Sequence, residues 1–444
     1  MAYSTSNLSL WQQTVEGSMK EWIYITSDTV NTVLGTGYIT DGAKKRMGIG
    51  DLVWVMSGTL NQAAAPAFGP GYPETVGFGG TFTAAPTWQA CLVSAINATT
   101  GAATLVAAAL PASAAIANFR NLIDGGDFTI NPWQRGTSFT GINSTVTYTA
   151  DRFFAVGGAS SSISVSQVAN TTIAGFAQSL VFGRAAANTN TAQISLGQVL
   201  ETGDCYRMQG QQMTLSFWAA AGANFSAAGS ALNVQLISGT GSNQSAASMV
   251  AGTWSGQVNV VNAVAAASAA QPITTGLVRY SFTGTVPAGS TQLGILFSYQ
   301  PVGTAGAQDN VILEGIQLEA GSQPTAFEHR DVQVELEICQ RYCWVVNEPA
   351  ANVIVGTGMN TTSAIQVFYL ATPVQLRVPP AVTVSAGTFK TNQSGAPTST
   401  TITPGSTHTV NAISINGNSA GTAGQGTLLQ GGGGAGLITA SADL

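Results

Sequence analysis

The chain has 444 residues, room for about three domains of ordinary size. Charged residues make up 8 % of it, against about 25 % in typical globular proteins, while 45 % are hydrophobic. That argues against disorder, which couples low hydrophobicity to high net charge. A formal net charge of −6 and a pI near 4.9 argue against nucleic acid as a partner, and no apolar run approaches the roughly 18 residues that span a bilayer.

Residues 1–20 are polar, with Leu8, Leu10 and Trp11 as docking points. MAYSTSNLSLWQQ lacks the basic start and apolar core of a signal peptide, which predicts synthesis in the cytoplasm. From Glu21 the text becomes strand-like, and Asp41-Gly42 and Gly48-Ile49-Gly50 punctuate it as hairpin turns do. The one basic run, Lys44-Lys45-Arg46, falls in such a turn. Ser57 to Pro86 reads as a long loop, a length usually tied to function or to covering a neighbour. An Ala-rich connector follows, in which Pro111 prevents one uninterrupted helix. The expected domains are 1–118, 119–330, a linker helix over 331–344, and 345–444.

Between 120 and 330 short runs alternate apolar and polar residues: SSISVSQV, AQISLGQVL, MTLSFWA, LNVQLIS, LVRYSFTG, LGILFSY and NVILEGIQLEA. Period two with Gly, Asn and Pro punctuation predicts an antiparallel sandwich, and eight or so strands fit a jelly roll. Met208 to Val278 holds no Asp, Glu, Lys, Arg or His, so that stretch alone builds no acid–base or metal site.

Asp331 to Cys343 predicts the chain's one convincing amphipathic helix. Val332, Leu336, Cys339 and Cys343 make one apolar row and Val334, Ile338 and Tyr342 a second. Two rows predict burial from two sides: the first against the chain's own domains, the second against another copy. Residues 345–444 read as a further β unit, in which Gly431 to Gly434 is a surface turn: a phosphate loop needs a helix after it, and LITA follows. The cysteines, Cys91, Cys205, Cys339 and Cys343, read as reduced; those in apolar context read as core, with a metal pair at Cys339 and Cys343 as the sharper alternative.

Two blocks bracket the central region. NLIDGGDFTINPWQRGTSF with YTADRFF supplies Asn121, Gly126, Asp127, Trp133, Gln134, Arg135, Asp151 and Arg152; QLEAGSQPTAFEHR with ELEICQRY supplies Gln317, Glu319, Phe327, Glu328, Arg330, Glu335, Cys339, Arg341 and Tyr342. In this order they resemble the opening and close of a jelly-roll module found in bacteriophage fibre and other virion proteins. The resemblance covers about half the chain and implies a non-enzymatic virion component, a fibre, spike or decoration protein. It would form a homotrimer, attach to capsid, collar or tail proteins through residues 1–118, and project its jelly roll.

Two other classes compete with that reading. A glycan-binding adhesin would need exposed aromatic faces. Trp254, flanked by Gly252, Thr253 and Ser255, and Tyr299 are the candidates for host glycan, while Trp133 and Trp218 read as core. A glycan hydrolase would need two carboxylates at a set separation, from among Glu314, Glu319, Asp127, Asp151 and Asp309. Related carbohydrate-binding jelly rolls pin their first and last strands with calcium, which makes Asp127 and Asp309 the candidate ligands. The blander expectation pairs those strand-end acids with Arg135 or Arg152.

Overall fold

The computed structural model describes residues 8–13, 20–26, 52–57, 87–97, 99–100, 102–107, 120–170, 172–261, 269–385, 387–393, 395 and 397–444. The chain divides into two compact units, Met1–Ala115 and Ile116–Leu444. The basic run, the turns around it and the bulk of the loop before Pro86 lie outside the described residues, as does Pro111.

In the first unit β1 (Leu8–Gln13), β2 (Lys20–Thr26), β3 (Leu52–Ser57), β4 (Thr87–Ile96) and β5 (Ala103–Ala107) form one sheet in that order. Its pairs are antiparallel except β2–β3, and Val53 and Val93 are buried.

The second unit opens with the sandwich. Its strands are β6 (Ser138–Ile142), β7 (Thr147–Tyr148), β8 (Phe154–Val156), β9 (Ile163–Ala169), β10 (Gln178–Arg184), β11 (Ile194–Val199), β12 (Gln212–Ala221), β13 (Ala231–Gly239), β14 (Val258–Asn259), β15 (Ala269–Pro272), β16 (Val278–Thr285), β17 (Gln292–Tyr299) and β18 (Asn310–Ala320). They form two antiparallel sheets, β16-β12-β18-β10-β9-β6 and β14-β13-β17-β11-β8-β7, with β15 also on β13. The predicted alternation sets the core: Met213, Leu215, Phe217 and Ala219 point in from β12, and Leu293, Ile295 and Phe297 from β17. Phe217 meets Phe297 edge-on across the two sheets, ring centroids 4.8 Å apart. Each such ring, removed wholly from water, contributes about 1.5–3 kcal/mol. Short helices α1 (Thr202–Cys205) and α2 (Ala246–Val250) sit in the loops.

Helix α3 (Val332–Gln340) follows, capped by Asp331, whose side chain accepts from the Gln333 amide at 2.8 Å. It does not sit as its apolar rows predict. Val332 is 62 % exposed, and the face that packs is Glu335, Cys339 and, just beyond the helix, Tyr342. Val334 and Ile338 are half-buried, but Tyr342, expected to face another copy, lies inside its own chain. The face is chosen by charge: Glu335 accepts from the Gly125 amide and from Arg330, contacts that hydrophobic spacing does not register.

The chain closes with β19 (Cys343–Asn347), β20 (Ile354–Asn360), β21 (Gln366–Ala371), β22 (Ala381–Val384), β23 (Lys390–Asn392), β24 (Thr398–Ser399), β25 (Thr401–Pro404), β26 (Ala412–Asn418), β27 (Gly426–Gln430) and β28 (Leu437–Ser441). A three-stranded sheet β19-β28-β22 and a seven-stranded sheet β24-β23-β27-β20-β21-β26-β25 share a core of Phe368, Leu370, Phe389, Ile413, Ile415, Leu429 and Ile438.

Candidate functional site

Both motif blocks converge on one polar joint where the sandwich, α3 and β19 meet. The Arg152 guanidinium lies on the Tyr342 ring, 3.4 Å from its centroid, while its Nε donates to Asp124 (3.1 Å) and its Nη2 to the Val199 carbonyl (2.7 Å). The Tyr342 hydroxyl donates to Glu201 at 3.0 Å, and Arg341 grips the same carboxylate with two donors at 2.9 and 3.0 Å. Burial disfavours the Glu201 anion, yet the Arg341 fork holds its pKa below the usual value. Gln134 donates to the Cys343 carbonyl at 2.7 Å, and Arg135 pairs with Asp151 and Asp443. Such pairs are dearly missed when one member goes, since the other is then buried alone. An open cleft of about 820 Å³ borders the joint, lined by Asp124, Glu201, Asp204, Arg207, Arg330 and Arg341 among others. Asp124 and Glu201 already have guanidinium partners, Arg152 and Arg341.

The predicted calcium ligands are spent elsewhere. Asp309 is fully buried and takes Arg184 through Nε (2.8 Å) and Nη2 (2.5 Å), together with the Ser226 amide and hydroxyl. A guanidinium thus occupies the place a cation would take. Register puts it there: β10 pairs with β18 so that Gly183 faces Asn310, and Arg184 arrives beside Asp309. Asp127 instead meets the His329 ring nitrogen at 2.7 Å and accepts from the Thr129 amide. The partners are therefore Arg184 and His329, not Arg135 or Arg152.

The aromatic candidates exchange places. Trp254 is 3 % exposed, its Nε1 donating to the Ser245 carbonyl at 3.0 Å, and Tyr299 is buried with its hydroxyl on the Asp309 carbonyl (2.8 Å). Neither offers a face to a sugar. Small flanking residues made Trp254 read as a loop tip, but that loop folds back over Met249 and Phe154. Trp218 is the half-buried one, on the outer face of β12. The signal was available, because alternation that turns Phe217 inward turns Trp218 outward.

Around Trp218 the outer face carries a cluster. Phe176 packs on Trp218 and on Phe327 at centroid distances of 5.3 and 5.1 Å, and His329 sits 5.0 Å from both phenylalanines. Arg279 stacks its guanidinium 4.7 Å from the Trp218 ring and donates to Ser216 and the Thr325 carbonyl. Gly315, at φ +56°, lies under the indole; a Cβ there would come within 2.6 Å of Trp218 Cζ3. Glu314, opposite Trp218 in the ladder, is fully buried, and burial pushes its carboxyl up to about 8, so at neutral pH it is mainly protonated.

No family model matches the chain, and no curated protein does. Among solved structures it is similar to the enzymatically active domain of bacteriophage CBA120 tailspike protein 4, at 14 % identity and a TM-score of 0.27, over 46 % of this chain and 22 % of that one. It is similar to TmCBM61 in complex with β-1,4-galactotriose at 12 % identity and 0.26, over 46 % and 99 %. A third likeness is to the CBM22-1–GH10 modules of Clostridium thermocellum xylanase 10B complexed with xylohexaose, at 8 % and 0.25, over 41 % and 29 %. The chain spans about a fifth of the tailspike domain's length. Likenesses this partial say nothing of what the chain binds.

Proposed function

We propose that the chain is a non-enzymatic structural component of a phage or phage-like particle, attached through its N-terminal unit and assembled with copies of itself. The observation that carries the reading is the joint: polar side chains of both motif blocks tie the sandwich to α3 and β19. The candidate catalytic acids are engaged in the same way. Asp151 has Arg135, Asp309 has Arg184, Asp127 has His329, and Glu319 has Arg120, Gln317 and Thr325. Glu314 is buried and mainly protonated.

A second reading, recognition of a host-surface glycan, is favoured by the outer-face cluster in which Trp218, Phe327 and Arg279 are half-buried and His329 is exposed beside a buried Phe176. One experiment separates the two. Particles purified from cells that make the chain, imaged with an antibody against residues 120–330, should carry label. Unlabelled particles with the chain left free in the cytoplasm would overturn the structural reading. With Trp218→Ala, particles that stay labelled but no longer adsorb to cells would select the second reading.

A further inference from the structure

Residues 442–444 leave β28 and run back over the sandwich. Segments beyond the last strand of a domain fray unless they are tied down. Each of these three is tied. The Ala442 amide donates to the Tyr342 carbonyl at 2.7 Å, and Arg377 donates to the Ala442 and Asp443 carbonyls at 2.8 and 2.7 Å. The Asp443 carboxylate takes Arg135, and also the Ser441 hydroxyl at 2.7 Å. Leu444 is 7 % exposed and belongs to the apolar cluster of Phe154, Met249, Trp254 and Tyr342. Its carbonyl accepts from the Tyr148 hydroxyl at 2.5 Å and from the Ala246 amide at 3.2 Å.

The partners fall on both sides of the joint. Arg135, Tyr148 and Ala246 belong to the sandwich, and Arg377 to the C-terminal unit. A tail that served only its own β unit would have no use for the first three. The joint is otherwise polar, built on Arg152, Arg341 and Glu201. Parts of a chain that meet through polar contacts move against one another by default, and Leu444 adds the apolar anchor that resists this. Arg377 carries the hold further. Its amide donates to the Arg341 carbonyl at 2.8 Å, and Val374 and Gln375, just before it, line the cleft together with Gly203 and Asp204 of α1. We infer that residues 442–444 are a strap that locks the C-terminal unit to the sandwich and fixes the width of that cleft. Unfastened, the two parts hinge about α3 and β19 with their cores intact. The strap goes beyond the proposed function and acts with or without a particle.

The test is the distance distribution between spin labels at Gly203→Cys and Gln375→Cys in the full chain, with Cys91→Ser. Both label sites are exposed, a side chain at Gly203 meets nothing, and Cys205, Cys339 and Cys343 are buried. With the strap present the distribution should be narrow. In the chain lacking residues 442–444 it should broaden toward longer distances, with an unchanged circular dichroism spectrum. A broad distribution in the parent overturns the inference, as does a folded truncated chain that keeps the parent's narrow one. Should the truncated chain lose its strand signal, Tyr148→Phe/Arg377→Ala decides, because it unties the strap's carbonyls and leaves Leu444 in place. Broadening in that variant supports the strap, and the parent's width overturns it.

Discussion

The sandwich and the C-terminal β unit solve the same problem, an acid buried under β structure, with different means. In the sandwich the partner is a guanidinium: Arg184 for Asp309 and Arg135 for Asp151. In the C-terminal unit Glu348, almost fully buried, is held by the amides of Thr388, Gly432, Gly434 and Gly436 and by the Thr388 hydroxyl, at 2.7–3.2 Å. Burial opposes the Glu348 anion, yet these donors lower its pKa to about 2. The difference teaches that where side-chain cations are scarce, backbone amides presented by a glycine run neutralise a charge. Gly432 has no room for a side chain, since a Cβ would collide with the Thr388 carbonyl oxygen.

Removing the cation should have the largest effect. Arg184→Ala strands Asp309 in the sandwich and should cost about 3–5 kcal/mol in denaturant unfolding, part of it recovered by Arg184→Ala/Asp309→Ala. A single variant that melts like the parent would erase the contrast, because Arg184 also holds the Asn188, Asn190 and Gly303 carbonyls.

Replacing the anion in the glycine cradle should come next. Glu348→Gln keeps the shape but sets an amide NH₂ against backbone donors, a loss of about 1–3 kcal/mol. The pH profile sharpens it. A pKa lowered from 4.5 to about 2 in the folded chain gives stability that is fully present above pH 4.5 and lost as pH falls through about 2. The C-terminal unit of the parent should weaken over that window, while Glu348→Gln stays flat there.

The smallest change should come from Glu314, which accepts from the Gly315 amide at 2.9 Å and is mainly neutral instead. Glu314→Gln should differ least from the parent below pH 4.5, where the carboxyl is protonated in both the folded and the unfolded chain. Its folded pKa is raised from 4.5 to about 8, so its contribution is full below pH 4.5 and fades as pH rises through 8. The variant should remove that alkaline loss, measured by thermal melting across the range.

Short-range pattern made much of this fold legible. Alternation in MTLSFWA and LGILFSY gives β12, β17 and their inward faces. Partners distant in sequence were not legible: Arg184 and Asp309 lie 125 residues apart, and nothing local announces the pair. The buried face of the helix is illegible for the same reason, since its seat depends on Gly125, Arg152 and Glu201. Trp218 and Trp254 show the two failures side by side. The alternation of β12 turns Trp218 outward, and the small residues around Trp254 flank a ring that is buried.

The glycine cradle bears on how this chain tolerates change. Gly431 to Gly436 has the look of a spacer, the kind of segment chosen for a tag, a cut or a fused cargo. Three of its amides grip Glu348, and Gly431 abuts the Pro349 backbone, so an insertion there would unseat the carboxylate and open the core beside Phe389. Low complexity here marks a segment with almost no freedom to drift.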